Sequence, residues 1–314
     1  MPTADDLRWF KQQFSGQIQP ALSGTPFDVD MLVAIASQET GEIWPILRKK
    51  GLTLDQITAL CVGDTIDFQG PRKGRQAFPK NKDELIAAPN GQAMFEVARS
   101  ALEDMAKFIP GYTSSVANPN KFCHGFGVFQ RDIQFFKDDP GYFLDRRYEK
   151  FGESLTQALN ELRNGLKTVR LQNRTSITDL EFASVAIAYN TGGFNPAKGL
   201  KQGFFDGEEF YGERIADLLK LSRSVQAATQ LAPGRYVVIA RGGLKLRGGP
   251  GTNFDSQKTL PAGTELNVVA GSSDPAWVHV DLEGDSLLDG YVFASFLAPA
   301  GQPMGLGETA PEPD

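Results

Sequence analysis

Along roughly the first 230 residues the apolar positions recur with a helical period. In VDMLVAIAS, Val29, Leu32, Val33 and Ala36 fall on one face at i, i+3, i+4 and i+7. AMFEVARSALEDMAKF places Met94, Val97, Ala98, Ala101, Leu102, Met105 and Phe108 in the same way. SLTQALNELRNGLKTV aligns Leu155, Ala158, Leu159, Leu162, Leu166 and Val169. TDLEFASVAIAYN opens on Thr178 with Glu181 three residues later, a capping box that sets a helix start. A last helix is expected from about Glu208 to Thr229, and the N-terminal MPTADDLRWFKQQF reads as an amphipathic helix. After LAPG, residues 231–234, the period changes. RYVVIA, LKLR, ELNVVA, WVHVDL and GYVF alternate apolar with polar positions, and turns such as GGPGTN and PAGT separate them. Alternation with closely spaced turns predicts a small all-β barrel. The chain is therefore expected to be multi-domain, with a mostly α unit over 1–230 and a barrel over 234–298. Residues 299–314, with four prolines, three glycines and three acids, cannot bury a core and read as a disordered tail.

Composition narrows the partners. A chain of 314 residues with 41% hydrophobic content can build two cores. The net charge of −6 disfavours a general nucleic-acid or anionic-membrane binder. No stretch is long and apolar enough for a membrane span. The N-terminus lacks the basic and apolar regions of a signal peptide, so delivery to a cell wall or periplasm would need lysis or a dedicated export or injection route. The two cysteines, Cys61 and Cys123, and the two histidines, His124 and His279, fit no zinc pattern. No metal or cofactor is implied, a disulfide is unsupported, and the oligomeric state is left open. The loop-like DFQGPRKGRQAFPKNKDE gathers Arg72, Lys73, Arg75, Lys80 and Lys82, either as a solvated loop or as a lip for an anionic polymer.

Three stretches carry candidate chemistry. In SQETGEIW, Glu39 lies on the shoulder of a buried helical face that ends near Gly41. Partial desolvation there would raise the pKa of a carboxylic acid and suit it to protonate a glycosidic oxygen. Glu42, past the glycine, reads as solvated. In HGFGVFQRD, Gly125 and Gly127 let backbone approach closely or take positive φ, and Gln130 offers an amide for acetamido or hydroxyl groups. AIAYNTGGFNP ends a helix with Tyr189 and Asn190 before a double glycine. Taken singly, these stretches are equally a helix-end glutamate, a turn with a buried aromatic pair, and a helix C-cap.

In this order and at this spacing, the three stretches resemble the lysozyme-like superfamily, above all the soluble lytic transglycosylases and goose-type lysozymes. Those families carry Glu-Ser, Gly-Leu-Met-Gln and Ala-Tyr-Asn-Ala-Gly. The matches here are Glu39-Thr40, Gly127-Val128-Phe129-Gln130 and Ala188-Tyr189-Asn190-Thr191-Gly192, over roughly residues 30–195. The resemblance implies Glu39 as catalytic acid, Tyr189 as the group that orients it, and Gln130 and Asn190 lining a glycan cleft. Thr40 keeps the usual hydroxyl, and Phe129 stands for methionine on the cleft floor. Hydrolysis needs a second carboxylate, ~6.5–9.5 Å from the acid for inversion or ~5–5.5 Å for retention. Transglycosylases of the superfamily use the substrate's acetamido group instead. Asp132 sits where goose-type lysozymes have an aspartate, while NPNKFCHG lacks their other one and offers His124 nearby.

The C-terminal segment resembles a bacterial SH3 domain. The markers are LKLRGGPGT, LPAGTELNV, WVHV and GYVFASFL. Such domains often tether cell-wall enzymes, and Trp277 and Tyr291 can supply an aromatic groove or serve as core aromatics. Together the resemblances imply a glycosidase that cuts the β-1,4 bond between N-acetylmuramic acid and N-acetylglucosamine, with peptidoglycan glycan strands and stem peptides as partners. A chitin- or chitosan-type hydrolase and a non-catalytic wall-binding protein are the alternatives.

Overall fold

The computed structural model describes residues 1–66, 75, 77–225, 231–240, 242–251, 254–271 and 277–300. Of the tail expected over 299–314, Pro299 instead pairs with Tyr236 in the last strand and the Ala300 amide donates to Arg235 O, while residues 301–314 and Arg72 and Lys73 of the basic stretch lie outside the described residues. Helices and strands divide between two compact units, one of residues 1–7 and 17–224, the other of 8–16 and 225–314. Grouping the middle of the first helix with the C-terminal unit is not foreseen from the sequence, which reads the domains as contiguous.

The first unit is mainly helical. Its helices are α1 (Ala4–Ala21, whose middle turns belong to the second unit), α2 (Val29–Thr40), α3 (Trp44–Lys49), α4 (Leu54–Ala59), α5 (Lys82–Ile86), α6 (Gly91–Ala106), α7 (Thr113–Val116), α8 (Pro140–Leu144), α9 (Phe151–Thr168), α10 (Asp179–Thr191) and α11 (Tyr211–Ser224). Local chemistry sets their starts. Asp28 accepts from the Met31 amide at the head of α2. Thr178 and Glu181 close the expected capping box on α10, with Thr178 N to Glu181 Oε2 at 2.8 Å. α11 begins at Tyr211, three residues later than the apolar period predicts. Asp206 Oδ1 accepts the amides of Glu208 and Glu209, and Phe205 bridges to Phe210, so this segment is held as a turn.

Helical periodicity does not reveal a three-stranded antiparallel sheet in the same unit. It runs β1 (Val62–Ile66), β2 (Phe122–Phe126), β3 (Arg131–Asp132), in that order. Its register pairs Val62 with Phe126 and Thr65 with Cys123. Cys61 and Cys123 are buried and form no disulfide. They sit four positions apart along the ladder, ~13 Å at strand rise, too far to bridge.

The second unit holds a seven-stranded antiparallel sheet. Its strands are β4 (Gly234–Val238), β5 (Leu244–Arg247), β6 (Ser256–Leu260), β7 (Glu265–Gly271), β8 (Trp277–Asp281), β9 (Gly290–Phe293) and β10 (Leu297–Pro299). They lie in the order β10-β4-β7-β8-β9-β5-β6. Inward residues at alternate positions, among them Val238, Leu244, Leu246, Val278, Val280 and Val292, form one apolar core. A mostly α unit followed by a small all-β one is thus the fold class. Among the described residues no helix is long and apolar enough to cross a membrane.

Candidate functional site

The first unit carries a cleft of about 670 Å³, within the range of small-molecule sites. Glu39, Phe129, Gln130, Asp132, Tyr189 and Asn190 all line it. Three segments far apart in the chain bring them together: the end of α2, the turn between β2 and β3, and the end of α10.

Glu39 occupies the last turn of α2, half-buried, while Glu42 is exposed. Gly41, the C-cap, has a right-handed φ of −65°. Its glycine is required by space instead, because a Cβ there would come within 2.9 Å of Pro2 Cδ. Tyr211 Oη donates to Glu39 Oε1 at 2.8 Å. Burial first, and the Glu39 charge second, keep the Tyr211 phenol protonated well above its ordinary range. Tyr211 escapes detection in the sequence because it opens an amphipathic helix as an ordinary core residue, 172 positions from its partner.

Thr40 does not reach the cleft. It is buried, and its hydroxyl donates to Val128 O at 2.7 Å and to Ala36 O at 3.2 Å. Its part is to pin the glycine-rich turn to the end of α2 that carries Glu39. Tyr189 acts on the same turn, donating to Phe129 O at 2.6 Å. Its phenol is also raised well above 10.0, first by burial, then by Glu39 and Glu161. Phe129 is buried and packs on Phe151 with ring centroids 5.7 Å apart, giving the cleft an apolar base. Gln130 takes a positive φ of 50° and donates from Nε2 to Gly127 O at 2.8 Å and Cys61 O at 3.3 Å. Those donors brace the turn, so Gln130 shapes the cleft as well as lining it. Asn190 is exposed at the mouth.

Asp132 is heavily engaged. Arg75 grips both carboxylate oxygens, His124 Nδ1 lies 3.0 Å from Oδ2, and the Gln134 amide donates to Oδ1 at 2.7 Å. Burial alone would push its pKa up, but the bonds from His124 and Arg75 outweigh this and hold it below 3.8. Arg75 from the basic stretch thus serves an internal ion pair. A second pair, Arg131 Nη1 to Glu161 Oε1 at 3.3 Å, stands on the cleft wall. Among the described residues no cluster of His, Cys, Asp and Glu could hold a metal ion.

In the second unit, β8 and β9 pair Trp277 with Phe293 and His279 with Tyr291. Residues 242–298 match the bacterial SH3 domain family. The chain has no significant match among curated proteins or among solved structures. Bacterial SH3 domains often bind peptidoglycan, and the match points to cell-wall association. Within the SH3 domain, Trp277 is 3% exposed and meets Phe293 edge-on at 5.4 Å. Strand alternation puts it on the face of β8 that carries His279, opposite to the Val278 and Val280 of the apolar core, where Phe293 covers it. Tyr291 is half-exposed and stacks on His279 at 3.8 Å and 24°. Partial burial lowers the His279 pKa, which favours the neutral imidazole in this stack.

Proposed function

We propose that this protein is a peptidoglycan glycosidase whose helical unit cuts the β-1,4 bond between N-acetylmuramic acid and N-acetylglucosamine. The observation that carries the reading is Glu39, half-buried in the cleft and hydrogen-bonded to a buried Tyr211. A general acid must present a proton to the leaving oxygen from a fixed position. Tyr211 fixes one carboxyl oxygen, and the bonds from Thr40 and Tyr189 hold the neighbouring turn against Glu39. The neutral phenols of Tyr211 and Tyr189 supply dipoles without a competing anion. Asn190 at the mouth provides an amide for the sugar's substituents, and the buried Phe129 supports the turn beneath it. The SH3 domain would hold the enzyme on its insoluble substrate and raise the local concentration of scissile bonds.

The test is lysis of purified sacculi by wild type and Glu39→Gln. The variant keeps the shape and the Tyr211 contact but has no proton to donate, so lysis should vanish while sedimentation with sacculi persists. Equal lysis by both proteins would overturn the reading.

A further inference from the structure

We infer that Glu161 is the second carboxylate of this cleft, the base that activates water for hydrolysis with inversion. The inference rests on the glycosidase reading above. It concerns a residue on α9, outside all three stretches that carry the candidate chemistry.

The placement follows from how α9 meets α10. Residues 169–178 connect the two helices, and the positions that meet along them run antiparallel. They pack closely at Gly165, where a Cβ would lie 2.8 Å from Val185 O. Glu161 is one turn before Gly165, and Tyr189 is one turn after Val185. In an antiparallel pair these two residues are level. The cleft lining agrees, since Glu161, Asn164, Gly165 and Thr168 share it with Ala188 to Gly192. Farther along, Thr168 shares a second groove with Glu181 and Ser184, as the antiparallel course requires. Both Glu39 and Glu161 act electrostatically on the Tyr189 phenol. The two carboxylates line the same cleft as Tyr189.

Asp132 is poorly suited to the same role. Both its oxygens are taken by Arg75, His124 and the Gln134 amide. Glu161 is partnered at Oε1 by Arg131, whose guanidinium is itself braced over the Phe135 ring at 4.3 Å. A single anchored partner orients a base without enclosing it.

The step balances as follows. Glu161 takes a proton from water as the water oxygen bonds to C1 of the sugar. The C1–O4 bond breaks, its electron pair goes to O4, and O4 takes the proton of Glu39. The product has a reducing end of α configuration, and both carboxyls reset by exchange with solvent.

The experiment uses the full chain and soluble uncrosslinked glycan strands, with product anomers followed by NMR. Wild type should release α reducing ends. Glu161→Gln should lose about 10²- to 10⁴-fold in rate, the span of general-base contributions, with its thermal melt and sacculus binding retained. Glu161→Ala, which opens room for a small anion, should recover cleavage in sodium azide and yield the α-glycosyl azide. That product distinguishes a lost base from a disturbed structure. Wild-type rates in Glu161→Gln, 1,6-anhydro products from wild type, or a folded Glu161→Ala that azide does not rescue would each overturn the assignment. If Glu39→Gln is inactive while Glu161→Gln is not, only Glu161 falls. If Glu39→Gln is fully active, the glycosidase reading falls with it.

Discussion

Replacing Gly165 with alanine sets two effects of similar size against each other. Alanine is the better helix former by about 1 kcal/mol in a helix interior, so on propensity alone the variant would be more stable. The structure opposes this. A Cβ at 165 would lie 2.8 Å from Val185 O and 3.1 Å from Val185 Cγ1, well inside comfortable van der Waals separation. The nearer atom is backbone in the middle of α10 and cannot swing aside as a side chain could. Relief requires α9 and α10 to part, and overpacking of this kind costs about 1–3 kcal/mol. The sum should be a net destabilisation of up to about 2 kcal/mol, read as a lower urea midpoint at unchanged m-value. Activity should suffer more than stability. The crossing sets Glu161 level with Tyr189, and a displacement of about 1 Å at a reacting group can cost about 10²-fold. Parallel urea titration and turnover of soluble glycan strands check both parts. A variant stabilised by the full propensity gain, with wild-type turnover, would refute the close packing of α9 on α10 and the positioning drawn from it.

Tyr211→Phe removes the donor to Glu39; hydrogen bonds to charged groups contribute about 1.5–3 kcal/mol, so kcat should fall about tenfold or more with KM little changed, and a wild-type kcat would remove Tyr211 from the site. Asp132 has a depressed pKa in the folded protein, so its contribution to stability is present above its ordinary value of 3.8 and is lost as pH falls through the lower folded value. Asp132→Asn should therefore cost stability near neutrality, about 1–3 kcal/mol from the broken charged hydrogen bonds, and should flatten the decline of Tm below pH 3.8; a variant whose Tm tracks wild type at every pH would contradict this. Tyr291→Ala should weaken sedimentation with sacculi by about 1–2 kcal/mol, the scale for a truncated interface aromatic, whereas unchanged binding would place the ligand contacts of the SH3 domain elsewhere.

The helical unit was legible where local rules govern. Thr178 and Glu181 announce the start of α10 because both partners of the capping box lie within one turn. The β-rich unit was legible because strand alternation leaves a period of two, although β6, with SQKT exposed before Leu260, has almost no alternation to read. β1 is harder still. It is five residues long, contains Gly63, and gains strand geometry from pairing with β2, about sixty positions away. The candidate site divides similarly. Glu39, Gln130 and Tyr189 stand in recognisable short stretches, Arg75 stands in the basic stretch with no sign of its carboxylate partner, and Tyr211 and Glu161 stand in none of the three candidate stretches. Tyr211 looks like core and Glu161 like the wet shoulder of an amphipathic helix. Only the course of α9 along the cleft and the packing of α11 on α2 distinguish them from their neighbours.

The two glycines of GFGVFQ show how far one motif can conceal two causes. Both are read from the sequence as places where backbone needs freedom, but the structure assigns them different work. Gly127 has φ +79°, and a Cβ there would also meet Ser154 Oγ at 2.5 Å, so it combines a left-handed conformation with close packing on α9. Gly125 takes no left-handed φ. A Cβ at that position would lie 2.2 Å from Gln130 Oε1 and 2.9 Å from its Cδ. The first glycine is therefore a socket for the glutamine side chain, and the second is the bend that returns the chain to fill it. Gln130 completes the closure, taking φ 50° and donating back to Gly127 O. The spacing G-x-G-x-x-Q thus encodes a self-locking turn. With Thr40 and Tyr189 bonded to its Val128 and Phe129 carbonyls, that turn is the rigid element linking the helix end bearing Glu39 to the helix end bearing Asn190.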